Sequence, residues 1–147
     1  MAFKTNAGTM LYVSAALPTT NDETGFSALT WTQVKEVESI VPPSDAFSDV
    51  TFTSLEDNMT RHVKGVNDPT ALTASLGYDS ADAGQNILFT ALSSKNAYSF
   101  KIAYDDDENR YCQGRVFELT DSGGTNSDVV KLSLSVRLTE PPVRVTP

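Results

Sequence analysis

The segment VKLSLSVRLT, 130–139, alternates without a fault. Leu132, Leu134, Val136 and Leu138 fall on one side, and Lys131, Ser133, Ser135 and Arg137 on the other. A period of two places successive side chains on opposite faces of a pleated strand, so one face must meet a core and the other water. The same alternation recurs in ALTASLGY, through Leu72, Ala74, Leu76 and Tyr78, and in YSFKIAY, through Tyr98, Phe100, Ile102 and Tyr104. Further extended segments are expected at 9–15, 31–41, 47–54 and 110–120, separated by PTTNDETG, VPPSD, DDDEN and DSGGTNSD. Seven strands in one unit predict a mainly β fold, an antiparallel β-sandwich or barrel.

Two segments break the pattern. From about 80 to 92, Ile87, Leu88, Ala91 and Leu92 form one apolar stripe at helical spacing. Asp79 or Ser80 is placed to cap this helix, and Asp82 suits the positive end of its dipole. A single flanking α-helix is therefore expected on a sheet face. The stretch LEDNMTRHVKGVND, about 55–68, mixes both signs of charge without a period and reads as a long inter-strand loop. Within TWTQVKEVESIV, 30–41, neither face is cleanly apolar, which suits a strand whose faces are altered by a bulge or a neighbouring subunit.

The length, 147 residues, predicts one domain over 1–147, with an N-terminal arm at about 1–8 and a C-terminal tail at about 139–147. Acidic residues number 19 against 11 basic, giving a net charge of −8 that repels nucleic acid and anionic membrane surfaces. Cys112, the lone cysteine, excludes an internal disulfide and reads as a small half-buried strand residue, in keeping with a reducing compartment. The first 18 residues carry no signal-peptide run, and no stretch approaches the about 20 apolar residues of a membrane span. Synthesis in the cytoplasm is the expectation, and the sequon Asn58-Met59-Thr60 carries no meaning there.

Catalytic patterns fail on spacing. A nucleophile elbow requires G-x-S-x-G, whereas the chain reads Gly77-Tyr78-Asp79-Ser80-Ala81, and His62 has no identifiable orienting carboxylate. The acidic run Asp105–Glu108 lacks the glycine and distal glutamate of a calcium loop and reads as a hairpin tip. Gly123 and Gly124 are followed by neither G-K-[ST] nor a helix. No enzyme activity, cofactor or metal is expected.

The order of elements resembles the phage major tail tube proteins, the lambda-like tube family of long-tailed phages. The strings that carry the resemblance are GTMLYV (8–13), LTWTQVKEVESIVPPS (29–44), SDVTFTSLED (48–57), ALTASLGYDSADAGQNILFTAL (71–92), YSFKIAYDDDENRYCQGRVFEL (98–119) and TNSDVVKLSLSVRLTEPP (125–142). The resemblance implies a single tail-tube domain and a structural virion protein. Six subunits would close into a ring, and rings would stack into a hollow tube that delivers DNA. Some members add an immunoglobulin-like domain after the last strand, and none is expected here.

The segment 55–68 resembles the hairpin or loop that packs on an adjacent subunit. This makes Leu55, Met59, Arg61, His62, Val63, Lys64 and Val66, together with Phe3 and Trp31, the candidate interface residues. Glu36, Glu38 and Asp49 are candidate lumen-lining acids, since a negative bore would repel the passing genome. The partners implied are further copies of the chain, tape measure, tail terminator and baseplate or tip proteins, with DNA passing unbound and no membrane. The location implied is the virion tail, after synthesis in the host bacterial cytoplasm. Two alternatives stay open: a carbohydrate- or receptor-binding β-sandwich module of a tail tip or baseplate, and a tube subunit of a bacterial contractile injection or secretion system.

Overall fold

A computed structural model describes residues 5–146. The elements run β1 (Met10–Ser14), α1 (Glu23–Ser27), β2 (Thr32–Val34), β3 (Val37–Val41), β4 (Phe47–Thr53), β5 (Thr60–Asn67), β6 (Leu72–Gly77), α2 (Ala83–Ser93), β7 (Tyr98–Ala103), β8 (Asn109–Ser122), β9 (Lys131–Leu138) and β10 (Val143–Val145). Among the described residues, strands β4 and β5 pair only with each other. The remaining strands form one antiparallel sheet in the order β2-β1-β7-β8-β9-β6-β3, with β10 added on β8.

Two long strands fold this sheet into layers. The first half of β8 pairs with β7, from Asn109↔Ala103 to Gly114↔Tyr98, and the second half pairs with β9, from Gly114↔Leu138 to Ser122↔Lys131. At the far side, β2 and β3 are consecutive, yet β2 lies on β1 and β3 lies on β6. Between them the backbone turns at Glu36, whose φ is 64°. The segment predicted as one strand over 31–41 is therefore a bent strand shared by both layers, which accounts for its imperfect alternation. One layer is β2-β1-β7-β8 with β10; the other is the C-terminal half of β8 with β9, β6 and β3.

The alternation seen in the sequence fills the space between the layers. Leu132, Leu134 and Val136 from β9 meet Leu72, Ala74 and Leu76 from β6, Phe100 and Ile102 from β7, and Leu11 and Val13 from β1 in one buried cluster. Cys112 is fully buried there, rather than half-buried, and burial pushes its thiol pKa up to about 12. Helix α2 joins the cluster through Leu88 and Ala91, while Ile87 stays half-buried and Leu92 exposed.

The cap of α2 is Asp82, not Asp79 or Ser80. Its carboxylate accepts from Gln85 N at 3.2 Å and from Lys35 N at 3.1 Å, so it serves the helix and the bend between β2 and β3 together. Gln85 completes this seam: Nε2 donates to Gly77 O at 2.8 Å and Lys35 O at 3.2 Å, and Oε1 accepts from Asp79 N at 3.0 Å. A second helix, α1, begins inside the stretch read as a turn, 18–25, and runs two residues past it. Asp22 caps it at Gly25 N, 2.9 Å, and this hydrogen bond holds the Asp22 carboxyl below its ordinary pKa.

Two further expectations change. The predicted loop 55–68 holds β5, paired with β4 from Thr53↔Thr60 to Phe47↔Asn67. Its apolar residues, Val63 and Val66, are not two apart because a register shift intervenes, and a strand exposed on both faces needs no period. The C-terminal tail contains β10, which returns to the sheet at Tyr111↔Val143.

Candidate functional site

Every residue of β4 is exposed, as is every residue of β5 except Gly65 and Asn67. The hairpin is fastened at its root. Asp68 N donates to Ala46 O at 2.7 Å, Ala46 N to Asn67 Oδ1 at 3.1 Å, and Thr70 N to Ser44 O at 2.8 Å. An isolated two-stranded hairpin is marginal in water, which makes this exposed one the candidate interaction element of the fold.

Its two faces differ in kind. One carries Asp49, Thr51, Thr53, Thr60, His62 and Lys64, the ladder partners pairing Asp49↔Lys64, Thr51↔His62 and Thr53↔Thr60. Its polar groups satisfy one another: Asp49 Oδ2 lies 2.8 Å from His62 Nδ1, the Thr53 and Thr60 hydroxyls are 3.0 Å apart, and Lys64 Nζ sits 4.1 Å from the Phe47 ring centroid. The opposite face carries Val50 beside Val63 and Phe52 beside Arg61, with the Phe52 side chain 63% exposed. Arg61 bonds Asp57 in the turn. At the tip Leu55 is 94% exposed and Met59 60%, and Val66 near the root is 77% exposed. This gathering of exposed apolar side chains on one hairpin makes it the candidate interaction face.

The expected interface residues divide accordingly. Leu55, Met59, Arg61, His62, Val63, Lys64 and Val66 all stand on this hairpin. Trp31 does not: its ring stacks in a cluster with Phe26 and Tyr111, at centroid distances of 6.5 and 5.9 Å, and its Nε1 donates to Phe26 O. Burial in this cluster, with Glu23 adding to it, raises the Tyr111 pKa, and burial of Lys101 beside Trp31 and Tyr12 lowers that of Lys101. Phe3 lies outside the described residues. Val50 and Phe52 share the exposed face with Val63 and were not among the expected candidates, although their alternation with Asp49 and Thr51 is visible in the sequence.

The acids are likewise separated. Asp49 lies on the hairpin, Glu36 at the bend, and Glu38 beside Lys131 at 2.8 Å. His62 is engaged by Asp49, while Ser80 precedes α2 and its carbonyl accepts from Asn86 Nδ2. The pairing a hydrolase would need is not formed.

A second feature lies on the four-stranded layer. β3 has β6 on one side only, and the C-terminal half of β8 has β9 on one side only, among the described residues. Because successive strands of this layer are antiparallel, its two open edges run in opposite directions. A lateral copy would therefore present β3 antiparallel to β8. Each edge carries one register shift, at Glu38 and at Phe117, a device that blunts indiscriminate edge pairing.

No family model and no curated protein matches this sequence. Solved structures do. A chain of the sheath/tube terminator of PVC, an extracellular contractile injection system, superposes at a TM-score of 0.72 and 8% identity, covering 99% of both chains. A chain from the tail of an empty gene transfer agent particle with C6 symmetry gives 0.70 and 10%, covering 98% of this chain and 100% of that one. The SPP1 tail tube gives 0.63 and 10%, covering 95% and 77%. At these identities the likeness is one of architecture: the chain has the fold of the tail tube and tube terminator proteins of phages and phage-like particles.

Proposed function

We propose that this chain is a structural subunit of a tail tube and acts by self-association rather than catalysis. The observation that carries the proposal is the β4–β5 hairpin, whose apolar face of Val50, Phe52 and Val63 stays more than half exposed. A neighbouring copy would bury that face. The open edges of β3 and β8 would then join copies laterally into a closed antiparallel barrel, which alone removes edges from a sheet.

Six copies, each giving four strands at about 4.8 Å spacing, would make a backbone circle on the order of 37 Å across before strand tilt widens it, room enough for a duplex. The layer with α1 would lie at the larger radius and the four-stranded layer, from whose β3 and β6 the hairpin issues, would face the bore. Rings would stack into the tube, meeting tape measure, terminator and baseplate proteins at its ends. DNA would pass without specific binding in a virion tail, the chain having been made in the bacterial cytoplasm. The same reading covers a tube of a contractile injection system, since a subunit of one shares the fold. The carbohydrate-binding alternative is less well served, because Phe26, Trp31 and Tyr111 stack on one another instead of offering a platform.

Electron microscopy of the concentrated purified protein tests this: hollow filaments are expected, and dispersed monomers at every concentration would refute it. A Val50→Asp, Phe52→Asp variant should keep the far-ultraviolet circular dichroism of the parent and form no filaments. Filaments from that variant would remove the hairpin from the interface.

A further inference from the structure

The outward face of the four-stranded layer repeats one chemistry across every strand. Ser39 of β3 pairs with Ser75 of β6, Ser75 with Ser133 of β9, and Ser133 with Thr120 of β8. Residues in register across a sheet point to the same side, so these hydroxyls form one rung from edge to edge. The next outward rung runs through Val41, Thr73, Ser135 and Glu118. Between the two, Ile40, Ala74, Leu134 and Leu119 point into the core.

Over both rungs the only charge is that of Glu118. The other charged groups of this face stand beyond them, Arg115 opposite Arg137 at one end and the Glu38–Lys131 pair at the other. Asp49 and Glu36, expected in a bore, stand on the hairpin and at the bend instead.

The rungs also fit the open edges. Each edge is regular only beyond its register shift, over 39–41 in β3 and 118–122 in β8. An antiparallel join that sets Ser39 against Thr120 also sets Ile40 against Leu119 and Val41 against Glu118. Core residues then meet core residues, and both shifts stay out of the contact. Moving the register by two residues would set Ile40 against Asp121, or bring the shift at Phe117 into the join. The hydrogen-bond phase agrees as well. Along a rung, hydrogen-bonded and non-hydrogen-bonded pairs alternate from strand to strand, so across an even number of strands Ser39 and Thr120 arrive at the join in the same phase.

We propose that the bore wall of the tube is a girdle of hydroxyl groups, closed from copy to copy by Ser39 opposite Thr120, with Glu118 as the carboxylate within it. This rests on the tube reading, and it replaces the acid-lined bore expected from the sequence. Uncharged hydroxyls displace no counterions from a passing duplex, so the girdle adds none of the salt-dependent attraction that basic side chains supply. They both donate and accept, and so hold a layer of water on the wall.

Engineered cysteines in the full chain test the girdle, the native Cys112 being buried. Facing Cα atoms of an antiparallel pair lie about 4.5 to 5.5 Å apart, within disulfide range. Oxidised filaments of Ser39→Cys with Thr120→Cys should therefore give covalent multimers up to a closed ring on a non-reducing gel. Ser39→Cys with Ser122→Cys, one register step away, should give none. Ser133→Cys, in the middle of the girdle, should react with a bulky maleimide roughly tenfold more slowly in filaments than in dispersed chains. This single surface substitution decides the question if a paired variant does not assemble. Thr120-variant filaments that stay monomeric on the gel, cross-links in the Ser122 variant, or equal labelling rates would each overturn the girdle and leave the tube reading intact. Absence of filaments from the wild type would overturn both.

Discussion

Gln85 shows how much one side chain can decide. Its amide serves three backbone groups, of Gly77, Lys35 and Asp79, from a fully buried position. Truncation leaves those groups without partners where water does not reach, so Gln85→Ala should destabilise the chain by about 3 kcal/mol in urea denaturation. Nothing in GQNIL announces this role, because one partner lies 50 residues away in sequence. Asp82 was chosen over Asp79 as the cap by the same distant bend, through Lys35 N. Asp22 makes a prediction of opposite visibility, since its cap is local. Its carboxyl is held below 3.8 by the Gly25 amide, so its contribution is complete above that value and disappears as pH falls through the lower folded pKa. The Gly25 amide resonance should therefore titrate with a midpoint below 3.8, and a midpoint above it would contradict the cap.

At the scale of elements, the buried strands were legible, and of the two exposed ones β4 was expected at 47–54 through its alternation while β5 was not. β6, β7 and β9 each press one face on the core, and burial enforces the period of two that the sequence displays. β5 presses on nothing, so no pattern was imposed and it read as a loop. α1 escaped because five residues are too few for a helical period to register. The placement of α2 depends on close approach as well as on its stripe. A Cβ on Gly84 would fall 2.3 Å from Gln33 O and 2.7 Å from Val34 Cα, both backbone atoms of the bent strand that cannot easily yield. Gly84→Ala should cost about 3 kcal/mol despite its better helix propensity, as measured by chemical denaturation. A neutral or stabilising result would show that the helix sits further from β2.

For the whole molecule, the body and the hairpin are separable in design. Ser44 and Thr70 hold each other across the root, Thr70 N to Ser44 O at 2.8 Å and Ser44 N to Thr70 Oγ1 at 2.9 Å. Replacing 46–68 by a short Gly/Ser linker should leave the thermal midpoint within about 4 °C of the parent, a shift worth roughly 1 kcal/mol or less, while self-association is lost. Unfolding of that chain would show that the hairpin supports the body. The bend at Glu36 bears on the same architecture in a mechanical sense. Thr32 to Val41 is one backbone with membership in two layers, bonded to β1 before the bend and to β6 after it. In the proposed tube its outer edge would face a lateral copy, and a pull on that edge would be shared between the β3–β6 ladder and the covalent path through the bend into the opposite layer. Such a pull is directed across the strands, along the hydrogen bonds of the ladder, so its bonds share the load at once rather than peeling in turn. A wall made of such units would carry tension around its circumference through main chain as well as through sheet pairing.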